Sequence, residues 1–191
     1  MRKLTLLTLL CFGFVLLASA AFAQDAMAKK EPATVTSVLH SNFAGLEGEL
    51  VPAADAMPED KFNFAPTSGE FKGVRTFALQ VKHVASVNYM MASAILGEKP
   101  PVDLGSENGP ESVKTKAQIM QYLKDSFAYA HKAIATVTAA NQVTPAVKSP
   151  FGEGETTRLS MAMGLTWHGF DHYGQMVEYL RMNGIIPPAS R

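Results

Sequence analysis

The side chains best suited to chemistry in this sequence are its five histidines, because an imidazole can bind a metal ion or exchange a proton near neutral pH. Two of them, His168 and His172, are four residues apart in a segment whose apolar residues recur with helical periodicity. Residues so spaced lie on one face of a helix, and two imidazoles placed there can share one metal ion at about 2.0–2.1 Å. The same face carries Met161, Leu165 and Tyr179, which predicts that the pair points towards the core.

A third ligand is expected from another helix, since two histidines alone make an incomplete site for a dedicated metal protein. His83 is the best candidate because it too lies at the border between an apolar and a polar line of its segment. Three histidines around one divalent ion leave a coordination position open for water or a substrate. The alternative interpretation is that the pair binds no metal and that His83 is a hydrogen-bonded histidine of the core.

The other polar and aromatic candidates have simpler interpretations. His40 is expected in solvent, and His131 at the surface or behind a ligand histidine. Asp171 is a candidate catalytic base or hydrogen-bond partner, or else a helix residue in solvent. Trp167 and Phe170, beside the histidine pair, are expected in the core, with a partner-binding surface as the alternative.

Several catalytic motifs are excluded by residue type. The zinc-protease motif H-E-x-x-H needs a glutamate directly after the first histidine, where this chain has Gly169. The Glu-x-x-His pairs of di-iron bundles, the G-x-S-x-G motif and a glycine-rich phosphate loop do not occur. The methionines recur at helical spacing and are interpreted as core fillers rather than as copper ligands.

The composition narrows the class of partner. The 191 residues carry 17 Lys and Arg against 17 Asp and Glu, so bulk electrostatics gives no reason to expect binding to nucleic acid or to an anionic membrane surface. Hydrophobic residues make up 47% of the chain, which excludes a disordered protein and allows a sizeable core.

The first residues have the pattern of a secretory signal. Two basic residues precede an apolar stretch from Leu4 to Leu17, and Ala21-Phe22-Ala23 matches the A-x-A cleavage pattern. We therefore predict a signal peptide over residues 1–23 and a periplasmic or secreted location. The alternative is an N-terminal membrane anchor, for which the stretch is short of the roughly 20 residues that a spanning helix needs.

The mature chain is predicted to be a single domain over residues 24–191. The only cysteine, Cys11, lies in the predicted signal, so the mature chain is expected to have no disulfide, thiolate metal site or cysteine nucleophile. No second apolar span follows, and we expect the mature form outside the membrane.

Four segments have helical periodicity, and none shows the sustained alternation of a strand. They run from about Pro32 to Met57, Arg75 to Leu96, Glu111 to Asn141 and Thr156 to Asn183. Pro52 is expected to kink or break the first segment, Thr76 to cap the second and Gly97 to end it. Four helices of this length with long connections indicate an all-α four-helix bundle with crossover loops.

Three passages of the sequence together resemble those of a known family. They are Ala56 to Phe64 with Pro66 and Thr67, Arg75-Thr76-Phe77 leading to His83-Val84-Ala85, and His168 to Gln175 followed by Tyr179-Leu180-Arg181 and Gly184. They are similar to the corresponding passages of the DinB-like (DinB/YfiT) family, over roughly Val35 to Pro188. The resemblance implies a four-helix bundle with a metal site at His83, His168 and His172. Family members often have a histidine where this chain has Asp171.

The resemblance also implies a divalent metal ion as cofactor and a small-molecule substrate. We expect zinc or nickel, although copper and iron also accept imidazole nitrogen. The open coordination position of the ion indicates a metal-dependent hydrolysis or a thiol-linked transfer. Several family members are thiol-dependent enzymes of the cytoplasm, whereas an exported member is not expected to meet such thiols at the same concentration. The alternatives are a non-catalytic metal-binding protein and a helical interaction module. Family members often form homodimers, which this sequence neither supports nor opposes.

Overall fold

The computed structural model describes residues 32–191, which fold into four long helices. They are α1 (Val35–Ala56), α2 (Phe77–Leu96), α3 (Lys116–Ile134) and α4 (Arg158–Met182), with short 3-10 turns at Glu59–Lys61 and Pro188–Ser190. The predicted all-α four-helix bundle is therefore confirmed. The signal peptide over residues 1–23, with Cys11, lies outside the described residues and stays a prediction, as does the start of the domain at residue 24. No helix in the described part of the chain is long and apolar enough to cross a membrane.

Each of the four helices begins at a threonine. The side chains of Thr34, Thr76, Thr115 and Thr157 accept a hydrogen bond from the backbone N–H three residues later. This contact satisfies one of the donors that the first turn of a helix leaves free. At the other end of α2, Gly97 adopts a left-handed conformation with φ 71°, which favours a residue without Cβ. The predicted cap at Thr76 and the predicted end at Gly97 are both confirmed.

The neighbours of each helix explain why the connections are long. α1 and α2 each pack against both α3 and α4. α1 therefore lies diagonally opposite α2, and α3 lies diagonally opposite α4. The chain crosses an end of the bundle between α1 and α2, and again between α3 and α4. These are the crossover loops that the sequence predicts.

α2 is buried along most of its length, because α3 and α4 flank it and the loop before α3 covers it. Several of its buried residues are polar, among them Gln80, Lys82 and His83. The Lys82 ammonium donates a hydrogen bond to the Pro110 carbonyl at 2.7 Å, and burial lowers its pKa. Buried polar groups need such partners. The polar residues of α2 therefore show where the interior of the bundle is held by hydrogen bonds as well as by apolar packing.

Two predictions about the helices are corrected. α1 continues through Pro52 to Ala56, so the helix does not break there, and the kink expected as the alternative stays a prediction. The carbonyl that loses its hydrogen bond to a proline belongs to the residue four positions earlier, here Gly48, which is exposed to solvent. Water can therefore hydrate that carbonyl, and the helix continues.

α3 is shorter than predicted at both ends, covering Lys116–Ile134 instead of residues 111–141. Beyond its end, the Asn141 side chain accepts a hydrogen bond from the Thr138 N–H at 2.8 Å. This bond closes a turn that competes with further helix. Beyond it, Val147–Lys148 pairs antiparallel with Glu155–Thr156, a ribbon too short for the sequence to show alternation.

Candidate metal centre

Three histidines from two helices meet inside the bundle. His83 lies on α2, and His168 and His172 lie one turn apart on α4. One ring nitrogen from each lies within 4.8 Å of the other two. The Nε2 atoms of His83 and His168 are 3.2 Å apart. The structure therefore brings together the three residues that the sequence selects, and within residues 32–191 no second group of three such ligands is found.

The ring of His83 is oriented by the loop between α2 and α3. Its Nδ1 lies 2.5 Å from the Glu107 carbonyl oxygen, which can only accept a hydrogen bond. Nδ1 must therefore carry the proton, and Nε2 keeps its lone pair for the centre of the cluster. Arg75 holds this loop, since its Nε donates to Asn108 Oδ1 at 2.7 Å and its guanidinium lies 3.4 Å from the Glu107 carboxylate.

The ring of His172 is oriented by a chain of side-chain hydrogen bonds. Its Nδ1 lies 2.6 Å from Gln80 Oε1, and Gln80 Nε2 donates to Gln175 Oε1 at 2.8 Å. Gln175 Nε2 in turn donates to the Asp171 carboxylate at 3.3 Å. A carboxylate only accepts, so it sets the orientation of both amides and makes His172 Nδ1 a donor. The Nε2 of His172 is thereby left as an acceptor.

Asp171 itself is exposed to solvent, at the outer end of that chain. It is not part of the group of converging nitrogens. Its contact with the cluster runs through Gln175 and Gln80 rather than directly. Asp171 is thus a solvent-exposed helix residue, as one interpretation expected, and its hydrogen bond goes to Gln175 rather than to a histidine of the cluster. Its candidate role as a catalytic base stays a prediction.

His168 is the least satisfied of the three rings. Its Nδ1 is buried and has no hydrogen-bond partner among the described residues, while its Nε2 faces His83. Three nitrogen donors around one point, without a carboxylate, are a ligand set that zinc and other borderline divalent ions accept. The residues present therefore fit a metal ion of this type.

Burial keeps the three rings neutral. Desolvation, followed by the charges of His172 and His83, lowers the pKa of His168 to about 3. Desolvation and the charge of His83 lower the pKa of His172 to about 4, and desolvation also lowers the pKa of His83. Only a neutral imidazole binds a metal ion, so near neutral pH the cluster has the required protonation state.

A cavity of about 380 Å³ opens beside His83 and His168. Its other walls are largely apolar and comprise Val87, Met90, Met91, Phe151, Met161, Gly164 and Trp167, with Glu107 and Ser160 as the polar members. A larger cavity, of about 740 Å³, lies between the end of α2 and the ribbon and contains none of the three histidines. The smaller cavity is therefore the one in which a small molecule could reach the cluster.

Trp167 and Phe170 are not core residues, contrary to the prediction. They are 63% and 39% exposed, on the part of α4 that α1 and α2 leave uncovered. Periodicity cannot distinguish an apolar residue that faces a neighbouring helix from one at the border of a cavity. The supporting residues Gln80 and Glu107 were also missed, since each acts on a histidine of a different element and only the packed structure brings them together.

His40 and His131 form a second pair, on α1 and α3. Their Nδ1 atoms are 3.0 Å apart, and His131 Nε2 lies 3.0 Å from the Glu47 carboxylate. His131 also packs edge-on against the Phe43 ring. His40 is thus half-buried and hydrogen-bonded, not free in solvent as expected, and His131 supports His40 rather than one of the three clustered histidines.

The comparisons with known proteins agree with this architecture. A family model described as the DinB superfamily matches residues 43–176, which run from α1 into α4 and include all three clustered histidines. No curated protein matches the sequence. Since the matched region covers well over half of the 191 residues, the chain belongs to the DinB superfamily.

Proposed function

We propose that this protein is a metal-dependent enzyme that binds one divalent ion, zinc or nickel, through His83, His168 and His172. The observation that carries the proposal is the convergence of three neutral ring nitrogens, two of whose rings have Nδ1 held by a hydrogen-bond acceptor. Histidines that bind metal ions are commonly oriented in this way from behind. The lowered pKa values of the three rings support the same conclusion.

A bound ion with three neutral ligands supplies a Lewis acid with an open coordination position. The chain's own residues contribute orientation and access. The Glu107 carbonyl and Gln80 hold two of the rings, and the apolar cavity beside His83 and His168 would exclude bulk water from a substrate. A hydrolysis or a thiol-linked transfer of a small molecule is the reaction class that this arrangement supports.

We also propose that the protein is exported. The support is the pattern of residues 1–23, in which a basic start, an apolar stretch and the A-x-A sequence occur in that order. N-terminal sequencing of the protein recovered from the periplasm or the medium tests this. A chain that begins at Gln24 is expected, and a chain retained in the cytoplasm with Met1 intact would contradict it.

The metal is tested by elemental analysis of untagged protein, purified without chelator. We expect about one divalent ion per chain in the wild type and none in the triple variant His83→Ala/His168→Ala/His172→Ala. The matched control is His40→Ala/His131→Ala, which removes a pair of histidines from the other side of the bundle and should keep the ion. Wild-type protein that remains metal-free after addition of zinc or nickel would overturn the proposal.

A second candidate function is a non-catalytic metal-binding protein. It is favoured by the position of the ligands, since an ion held by α2 and α4 joins two helices and would stabilise the bundle. The two candidate functions differ in whether the fourth coordination position of the ion is open to exchange. An enzyme should bind small anions such as azide at the ion, whereas a closed structural site should not.

A further inference from the structure

The cavity beside the histidines has a composition that selects a kind of molecule. His83 and His168 form one side, and the facing walls are built from the methionines Met90, Met91 and Met161 and the aromatic residue Trp167. A small molecule that directs one atom to the histidines must therefore lay its remaining atoms along thioether and aromatic surface. Such surfaces favour apolar and aromatic groups.

The walls of the cavity away from the histidines disfavour a charged group. Among the described residues that line it, Glu107 is the one formally charged residue, and its carboxylate is already paired with Arg75 at 3.4 Å. A charged group placed against these walls would lose hydration without gaining a partner of opposite sign. The cavity is thus suited to a molecule that carries no charge outside the group that reaches the histidines.

Gly164 forms part of the cavity wall. It lies inside α4, one turn before His168, where glycine is unfavourable and where its backbone has no left-handed conformation to justify it. A Cβ at this position would lie 3.1 Å from the Met91 thioether and 3.7 Å from Trp167 Nε1. Glycine therefore lets Met91 pack closely against α4, and a large side chain here would have to displace the methionine or fill the space beside the indole.

The rim of the cavity carries aromatic surface that is open to solvent. Trp167 is 63% exposed and Phe151 is 53% exposed, although both line the cavity. Covering such solvent-exposed rings with the flat ring of a ligand is favourable, because it removes apolar surface from water. They offer stacking surfaces at the entrance.

We propose that this cavity binds a small molecule that is uncharged outside its donor group, whose aromatic or other flat apolar part packs against Trp167 and Met91, and whose donor atom reaches the histidine cluster. The proposal rests on the proposed function for the role of the donor atom, because that atom is directed at the proposed metal ion. The contacts of the apolar part need no ion.

The apolar part is tested with two fluorescent probes that share one ring system. N-phenyl-1-naphthylamine is uncharged, and 8-anilino-1-naphthalenesulfonate adds a sulfonate. The full-length mature protein should bind the uncharged probe about tenfold more tightly or better, and should change the fluorescence of Trp167, the only tryptophan. Gly164→Leu should abolish that binding. Trp167→Leu, at an exposed position, should weaken binding of the uncharged probe and remains a test if Gly164→Leu fails to fold. Met163→Ala, exposed on the same helix but outside the cavity, is the control and should leave that binding unchanged.

The donor atom is tested with benzohydroxamate and acetohydroxamate, which share a metal-binding head and differ in a phenyl and a methyl group. Zinc-loaded protein should bind benzohydroxamate about tenfold more tightly or better, measured by calorimetry. Equal affinity for the two hydroxamates, or equal affinity for the charged and uncharged probes, would overturn the inference. Selective binding of the uncharged probe by a protein that takes up no metal would instead contradict the proposed function and leave the apolar cavity supported.

Discussion

The Nε2 atoms of His83 and His168 face each other at 3.2 Å. Because the Glu107 carbonyl fixes the proton of His83 on Nδ1, His83 can only accept here, and His168 must donate from Nε2 in the metal-free protein. The Nδ1 of His168 is then a buried acceptor without a partner among residues 32–191. A metal ion in place of the shared proton would use the lone pairs of both Nε2 atoms, so the arrangement of the two rings fits a cation between them.

Metal binding is expected to stabilise the bundle. An ion that binds the folded chain at about 100 times its Kd adds about 2.7 kcal/mol to the free energy of unfolding, and for a domain of this size that raises Tm by about 5–10 °C. Differential scanning fluorimetry with zinc or nickel, before and after a chelator, measures the shift. The variant His83→Ala/His168→Ala/His172→Ala should show no change in Tm on addition of metal. The variant His40→Ala/His131→Ala should show the same metal-dependent increase as the wild type, from a lower Tm without metal.

Gln80 is expected to control metal affinity without touching the ion. Gln80→Leu removes the acceptor for His172 Nδ1, which frees the ring to rotate and to change tautomer. Loss of such a supporting contact typically lowers metal affinity about 10–100-fold, which a competition titration with a chromophoric chelator measures. Gln175→Ala, farther along the same chain of hydrogen bonds, serves as the graded control, and an effect larger than that of Gln80→Leu would argue against the order of contacts described.

The metal-free protein is expected to lose stability as the pH falls below about 6.5, the value for histidine in an unfolded chain. Burial holds the folded pKa values of His168 and His172 at about 3 and about 4, so the unfolded chain takes up protons first. The free energy of unfolding is therefore highest above pH 6.5 and declines as the pH falls towards 4 and then 3. Urea denaturation at pH 7, 5 and 4 measures the decline.

The variant His168→Leu removes one of these groups and should show a shallower decline over the same pH range. An unchanged slope would mean that His168 titrates normally in the folded protein. Zinc-loaded wild-type protein should be more stable than the metal-free form at each of these pH values, because the ion binds the folded chain, whose rings stay neutral down to about pH 4.

Gly169 is expected to be required for the contact between α1 and α4. A Cβ at this position would lie 2.2 Å from Leu46 Cδ2, so Gly169→Ala should destabilise the protein by about 1–3 kcal/mol through overpacking. Gly174 lies on the same helix with nothing within 4 Å of its virtual Cβ, and Gly174→Ala should stabilise by about 0.5–1 kcal/mol. Denaturant unfolding of the two variants measures the change in the free energy of unfolding for each. If both substitutions stabilise the protein, the close approach at Gly169 is refuted.

The pair within the cluster was predictable because its signal is local, and the family resemblance supplied independent support for His83. The spacing of His168 and His172 places them on one face of a helix whatever the rest of the fold does, and His83 shares the same border position on its own helix. The threonine cap at Thr76 and the end at Gly97 are equally local signals. Such features depend on a few neighbouring residues and can be recognised from the sequence alone.

The supporting contacts could not be predicted because they depend on how separate elements pack. Gln80 lies on α2 but holds His172 of α4, and Glu107 holds His83 through a backbone carbonyl, to which the side-chain type contributes nothing. The exposure of Trp167 likewise depends on which parts of α4 its neighbours leave uncovered. In the sequence, Gly169 stood out only because it occupies the position of the glutamate in the zinc-protease motif. In the structure, its role is the close contact with Leu46.

The crossover topology gives the proposed ion an effect on the whole chain. His83 and His168 are 85 residues apart, and the segment between them contains all of α3 and the two connections on either side of it. An ion held by both would act as a reversible cross-link that closes this long loop in the folded chain and must dissociate before α2 and α4 can separate. In a protein whose only cysteine is Cys11, the supply of metal in its surroundings would set a constraint that many secreted domains obtain from disulfides.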